Sequence, residues 1–488
     1  MTLKRLLELM ATNEPQKVIS LLETQYLVST VTTALAQFNP KTHDVTDTAK
    51  RPDKPIKDEN GNNIAPKKVS RITIPLQQTI VDVAAAFLGA PTIECTTESK
   101  QEEDLLEVLQ SIWDDNKLDY KCRRQATHTM SETHSAEIWY TRDAEPGHWD
   151  GVPFEPAGNV KFVMKILAPS LGDNLYPVFD EFGDMIAFGR SYKIKEEDGK
   201  EIVYFDLYTA EVIYLMKQEG NTWLFSTDGG KTYSIEKASV KNMFGKIPIV
   251  YYSQPVTEWE HVQPLIDRLE KKISDLADTN DYFASPIVVA TARVVSMPDK
   301  GEQGKLIEIE GVGDVKYLTW DQSPESTKLE IELLEKFIYT HTSTPDISFQ
   351  NLKNLGYFST NALKTMFMQA HLKAAKHEEV YGECMQRRIN YLKKAITVVD
   401  PRYKAVLRLK IKPKFTYFLP ENIDEQVNTL IAAVNAKILS QETAVRKNPQ
   451  VDDPEAEIKA IKKEAEEAQA AAVVLPAPIQ NGNGVPVK

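Results

Sequence analysis

Three kinds of residue in this chain could do chemistry. The stretch "STDGGKTYS" at 226–234 sets glycines before a lysine, the ingredients of a loop that wraps phosphate with backbone N–H groups. The spacing fails, because such a loop needs a glycine five residues before its Gly-Lys pair, and Phe225 stands there. Its flanks read as strands, so "DGGK" reads as a hairpin turn. "HTMSETH" places His128 and His134 six apart, and His371 and His377 repeat that spacing. On a helix such pairs point to different sides and no cysteine is near, so they read as solvated or capping histidines rather than zinc ligands. Cys95, Cys122 and Cys384 are isolated, which fits a reducing compartment with neither a disulfide framework nor a zinc ribbon. There is no GxSxG, no HExxH and no carboxylate pair flagged by an apolar pocket. No catalytic residue, metal or cofactor is expected.

With 488 residues, 42% hydrophobic and 26% charged, the chain has room for two or three domains, or one elaborated domain, with a large core. Its net charge of -12 argues against a free-standing DNA-binding domain, yet allows a surface built to repel DNA. The N-terminal "MTLKRLLELMATNEP" is charged within its apolar run and lacks a cleavage signature, so no signal peptide is expected. No stretch approaches the roughly 18 apolar residues that span a bilayer, so no membrane association is expected.

These residues must be positioned by an α+β chain that is mainly helical. Residues 1–39 read as helical, with Asn13 as a cap, Pro15 in the first turn, and Val18, Leu21 and Leu22 beginning an apolar stripe. Residues 40–70 are polar and turn-rich, and "ENGNN" reads as a hairpin tip between poorly ordered arms. Helices return at 75–88 and 101–135. The region 136–252 alternates β-rich runs with Gly, Asp and Asn, as an antiparallel section does. Val262, Leu265, Ile266, Leu269, Ile273 and Leu276 then keep helical spacing. Thr257 and Glu260 have capping-box spacing, so this helix either kinks at Pro264 or begins there.

A compact section at 285–322 holds three strand-like runs. Ser323-Pro324 opens another helix, striped by Leu329, Leu333, Leu334, Phe337 and Ile338. After the loop "TPDISFQNLKNLGYFST", Ser359 caps a helix that runs to Val398, interrupted only by Gly382. A strand at 408–420 and helices at 421–439 and 453–472 follow, before a disordered tail at 473–488.

The order of these parts resembles the portal proteins of tailed bacteriophages, over most of residues 15–470. Five stretches carry the resemblance: "RITIPLQQTIVDVAAAFLGAPTI", "ILAPSLGDNLYPVFDEFGDMIAFGRSY", "FGKIPIVYYSQPVTEWEHVQPLIDRLEKKISDLADTNDYFA", "TPDISFQNLKNLGYFSTNALKTM" and "LSQETAVRKNPQVDDPEAEIKAIKKE". The chain departs from the family at Ser359-Thr360, where Ser-Gly often stands. That departure suggests a more rigid helix start, with the loop's hinge nearer Gly356.

The resemblance implies a dodecameric ring at one capsid vertex of the virion, assembled in the host bacterial cytoplasm, through which double-stranded DNA is packaged and ejected. It implies a wing at 1–255, completed by a spine helix and wing strand at 361–420. Stem helices would occupy 256–284 and 323–343, a clip 285–322, a tunnel loop 344–360, and crown-like helices 421–472. The terminase large subunit, a head–tail adaptor, and the major capsid and scaffolding proteins would be partners.

Within that frame Gln350, Asn351, Lys353 and Asn354 are candidates to touch passing phosphates, since amides and single lysines position DNA without reading it. Phe349, Leu352, Leu355, Tyr357 and Phe358 would pack the loop on a neighbouring subunit. Glu325, Lys328, Glu332 and Glu335 are candidates to line the channel, alongside Glu330 and Lys336. The acidic set faces the bore, forms salt bridges between subunits, or is a solvated face. The alternatives are a helical scaffold or head–tail adaptor that binds only proteins, and a P-loop or nuclease motor component. The missing glycine loop and the scattered carboxylates weigh against the motor.

Overall fold

The structure, a computed structural model, describes residues 6, 8, 10, 15–25, 28–57, 63–196, 199–283, 287–291, 293–296, 308–318, 324–346, 365, 367–416, 423–451 and 453–473. The chain divides into two units, one of Met1–Asp346 with Gln369–Phe418, the other of Ile347–Met368 with Leu419–Lys488.

The first unit begins with helices Pro15–Gln25 and Val28–Phe38. Val18, Ile19 and Leu22 are buried in the first of them and Leu21 is exposed, so the stripe runs one residue round from the expected line. Strands β1 (Lys54–Lys57) and β2 (Asn63–Lys67) pair antiparallel. The arms on either side of "ENGNN" are therefore paired strands rather than poorly ordered segments, while the expected tip at 58–62 lies outside the described residues. Helix Leu76–Leu88 leads into β3 (Pro91–Glu94). The region expected as one helix over 101–135 is two, Lys100–Asp115 and Leu118–Glu132. Lys117, at φ +52°, turns the chain between them. The first carries a full capping box between Ser99 and Glu102.

The β section follows as β4 (His134–Asp143), β5 (Val160–Leu167), β6 (Asp173–Phe179), β7 (Met185–Lys195), β8 (Glu201–Thr209), β9 (Val212–Glu219), β10 (Thr222–Phe225), β11 (Val240–Lys241) and β12 (Ile249–Ser253). It forms two antiparallel sheets. One has the order β10-β9-β8-β7-β6, with β11 beside β9, and the other the order β12-β4-β5. Alternation of side chains gives the larger sheet two buried faces. Tyr176, Phe205 and Met216 pack with Leu6, Met10, Val18 and Leu22 of the N-terminal segment. Leu175, Phe188 and Tyr208 pack with Ala136, Ile138, Leu167 and Ile249 of the smaller sheet. Gly189 sits where the first face is tightest: a Cβ there would lie 3.1 Å from Phe205 and 3.3 Å from Leu22.

Charge is also buried in this sheet. Arg190 donates to Asp173 at 2.8 Å and lies 3.9 Å from Asp206, while the Tyr208 hydroxyl donates to Asp206 at 3.2 Å.

The "DGGK" stretch is a turn, as expected. Asp228 accepts from the N–H groups of Lys231 and Thr232, both at 2.9 Å, and Ser226 accepts from the Gly230 N–H. A carboxylate thus occupies the donors that a phosphate loop would offer. His128 and His134 are neither solvated nor caps. His128 bonds Glu132 at 2.8 Å within a cluster that includes Ser170, and His134 is half-buried, its pKa lowered by that burial.

Beyond the sheets, β13 (Ile287–Ala290), β14 (Arg293–Ser296), β15 (Glu308–Glu310) and β16 (Val315–Leu318) form two antiparallel pairs, β13 with β16 and β14 with β15. The first of the three expected runs is therefore two strands. Thr291 makes the switch, bonding Asp314 through both main chain and side chain. The long helix Met368–Val399 crosses the main helical core, and β17 (Lys412–Phe415) returns to pair with β3.

At the centre of that core Arg388 and Glu137 are fully buried. Arg388 Nε lies 2.9 and 3.0 Å from the two carboxylate oxygens, a forked arrangement joined by Tyr252, Trp139 and Cys122. The second unit holds helices Ile423–Asn435, Gln441–Lys447 and Pro454–Val473. The short middle helix, capped by Ser440, lies between the two helices expected at 421–439 and 453–472.

Candidate functional site

The residues expected to line a channel lie on the helix Pro324–His341, which packs against Gln263–Phe283. The latter begins at Gln263 after a 3-10 turn over Glu260–Val262, so Pro264 sits in its first turn and does not kink it. Its stripe is as the spacing predicts. Val262, Ile266 and Leu269 are buried, with Leu265 and Ile273 packed beside them.

The returning helix behaves differently. Its five-residue stripe splits in two. Ile338 is buried and Leu334 packs with it, joined by Ile331 and Tyr339. Leu329, Leu333 and Phe337 are 56%, 42% and 45% exposed. The reason is angular. At 100° per residue the five positions cover more of the circumference than one neighbouring helix can bury.

Glu325, Lys328, Glu332 and Glu335 occupy a third side of the same helix, and all four are exposed. Lys328 and Glu332 are 3.8 Å apart. Burial, then the charges of Asp346 and Glu332, hold the Glu335 carboxyl above its usual range. Glu330 is not part of that face. It reaches back to Arg268 Nη2 at 2.9 Å and Lys272 Nζ at 2.8 Å, and so ties the two helices together. Gln350, Asn351, Lys353 and Asn354, with the cap at Ser359, lie outside the described residues.

The sequence reading missed what braces this helix pair. Glu270, Ser274 and Asp278 recur every four residues and share one face of Gln263–Phe283. Each accepts from the segment 43–74: Glu270 from the Ile74 N–H and His43, Ser274 from the Ile72 N–H, and Asp278 from the Ser70 N–H and Arg51. Burial opposes the charge on His43, but the bond to Glu270, that carboxylate's charge, the Gln37 carbonyl and the charge of Asp267 together raise its pKa. The polar stretch read as loop is a strap along the helix. The four-residue spacing of acceptors was the signal available in the sequence.

The other end of the pair meets the long helix at Lys373. Its ammonium group bonds Glu258, just before the outgoing helix, and the carbonyl of Thr342, just after the returning one. His377 adds a second contact to Glu258 at 3.2 Å. One lysine thus gathers the roots of both helices.

No group of His, Cys, Asp and Glu suited to a metal occurs among the described residues. No helix among them is long and apolar enough to cross a membrane. The arrangement is a braced helix pair ending in a small β module, with an uncovered apolar stripe and a separate charged face.

Comparison with known proteins gives three findings. A sequence profile described as "Phage portal protein, SPP1 Gp6-like" matches residues 25–471. The portal protein of Bacillus phage SPP1 is 22% identical over 413 residues, spanning 82% of this chain and 76% of that protein. Among solved structures, a chain from the neck of a native GTA particle, computed with C12 symmetry, is similar at 11% identity and a TM-score of 0.38, covering 76% of this chain and 88% of its own.

Proposed function

Because the chain belongs to the phage portal proteins of the SPP1 Gp6-like family, we propose that it forms a ring at one capsid vertex through which double-stranded DNA enters and leaves the head. Portal proteins are structural, non-enzymatic virion components that assemble as rings with capsid and other phage proteins. In this reading the energy of packaging comes from a separate terminase, whose large subunit docks on the clip (285–322) and later gives way to a head–tail adaptor. Major capsid and scaffolding proteins contact the outer wing, and the ring nucleates head assembly with twelve copies. The family match over 25–471 carries the proposal.

The helix pair supplies the stem. Viewed down Pro324–His341, the side toward Gln263–Phe283, the apolar stripe and the charged face lie roughly a third of a turn apart. A neighbouring subunit covers Leu329, Leu333 and Phe337, which a lone chain leaves in water. The face of Glu325, Lys328, Glu332 and Glu335 then remains for the bore. Three carboxylates against one lysine suit a passage in which DNA must slide, because each phosphate neutralised by a cation releases counterions and tightens binding. Lys353, with Gln350, Asn351 and Asn354, makes brief contacts where the loop narrows the channel.

A packaging reaction tests this. Rings built from Lys353→Ala should form normally and package less DNA than wild type. Undiminished packaging refutes the loop's contact with DNA, and a wild-type chain that supports no packaging refutes the channel. A scaffold or adaptor that binds only proteins would assemble without an axial passage.

A further inference from the structure

Two surfaces outside the stem complement each other. One is the β6–β7 hairpin tip, "FDEFGDM" at 179–185. Phe182 stands on it 84% exposed. The tip is rigid: one oxygen of Asp180 accepts from the N–H groups of Phe182 and Asp184, both at 2.9 Å, and Gly183 supplies the φ of +86° that the turn needs. Glu181 and Asp184 are exposed, with no ion-pair partner among the described residues. An exposed aromatic ring on a hydrogen-bonded turn is thus presented amid three carboxylates. Holding a large apolar side chain in water this way disfavours the free chain and suits a recognition surface.

The other surface is a groove of about 880 Å³ between the β3–Ser99 turn and the segment before β17. That is within the roughly 300–1,000 Å³ of ligand pockets and ample for one aromatic ring. Val406 and Leu409 form an apolar floor with Ala405 at its edge, and Arg408, Lys410 and Lys412 rise around it. These three cations have no ion-pair partner among the described residues. The opposite wall carries Glu94, Glu98 and Glu102. Lys414 neutralises Glu94, and Glu102 is engaged by the N–H groups of Glu98 and Ser99. Glu98 and Glu102 keep their charge, so with Lys414 the rim carries four cations against three carboxylates, and Arg408, Lys410 and Lys412 hold the side opposite the glutamates.

The geometry points to docking of the Phe182 tip of one chain into the Val406–Leu409 groove of a second copy. Phe182 meets the apolar floor, while Asp180, Glu181 and Asp184 meet Arg408, Lys410 and Lys412. Knob and socket are different surfaces of one chain, so the contact is head-to-tail. Such a contact closes into a ring or propagates as a filament according to its rotation. It deepens the ring reading by placing a second lateral joint in the wing, apart from the stem.

The test uses the full-length chain carrying Glu181→Cys and Ala405→Cys, with Cys95→Ser to remove the thiol native to the groove, mixed from isotopically light and heavy preparations and treated with a short bismaleimide. Mixed light–heavy peptides joining 181 to 405 are expected, with a ladder of cross-linked multimers. A charge-reversed tip, Glu181→Arg with Asp184→Arg, should raise the dissociation concentration of the oligomer about tenfold or more. Adding Lys410→Glu and Lys412→Glu should restore it. Cross-links confined to single chains, or a reversed tip that assembles as tightly as wild type, overturn the docking while leaving the ring reading intact. Filaments cross-linked through 181 and 405 support the docking and overturn the closed ring. A chain that remains monomeric overturns both.

Discussion

The ammonium group of Lys373 lies 2.6 Å from the carboxylate of Glu258 and 2.8 Å from the carbonyl oxygen of Thr342. Both ion-pair partners are mostly buried, at 16% and 7% side-chain exposure. Removing one leaves the other charged in a poor solvent, which typically costs about 3–5 kcal/mol. Lys373→Met should therefore lower stability by an amount toward the lower end of that range, since His377 still faces Glu258. Lys373→Met combined with Glu258→Gln should cost less than the two single changes added together. Urea unfolding of the three variants measures the coupling, and strict additivity would mean that the joint carries no energy.

Glu258 also sets an acid limit. Burial pushes its carboxyl up, but His377 and Lys373 outweigh that and hold it down at about 2. A depressed carboxyl stabilises the fold above its unfolded value of 4.5, and that contribution is lost as pH falls from there through about 2. Between pH 5 and pH 3 wild type should lose more stability than Glu258→Gln. Equal losses in a pH series of thermal melts would remove Glu258 from the account.

Asp206 works in the opposite sense. Burial raises its carboxyl to about 6 despite the nearby Arg190. The folded state therefore favours the proton, a contribution present below 3.8 and lost as pH rises through about 6. Asp206→Asn keeps an acceptor for the Tyr208 hydroxyl without the charge. It should stabilise the chain by on the order of 1 kcal/mol at pH 7.5 and have no such effect at pH 4. A loss of stability at pH 7.5 would show that the charge is held for a structural reason through Arg190.

The uncovered stripe separates folding from assembly. Leu333 is 42% exposed in the single chain, so Leu333→Asp should change its stability within about 0.5 kcal/mol. Between subunits the same carboxylate would be buried without a partner. Sedimentation should show the variant as a folded monomer where wild type is a large oligomer.

Much of this layout was legible because it is local. Periodicity located the two paired helices, alternation located the antiparallel section, and the failed spacing around Phe225 marked "DGGK" as a turn. What escaped depends on contacts distant in sequence. Nothing near Glu137 announces Arg388, 251 residues away, and the strap on Gln263–Phe283 is made by residues over 190 positions earlier. The split of the Leu329–Ile338 stripe escaped for another reason. Spacing shows which residues share a helix side, but not how much of that side one neighbour covers.

The central claim is the ring, and images of the purified full-length protein with its native mass test it most directly. The account predicts closed rings with an axial hole wide enough for duplex DNA, at a single mass of twelve times the 55.1 kDa chain. Monomers at micromolar concentration, or open fibres without a central passage, would contradict it.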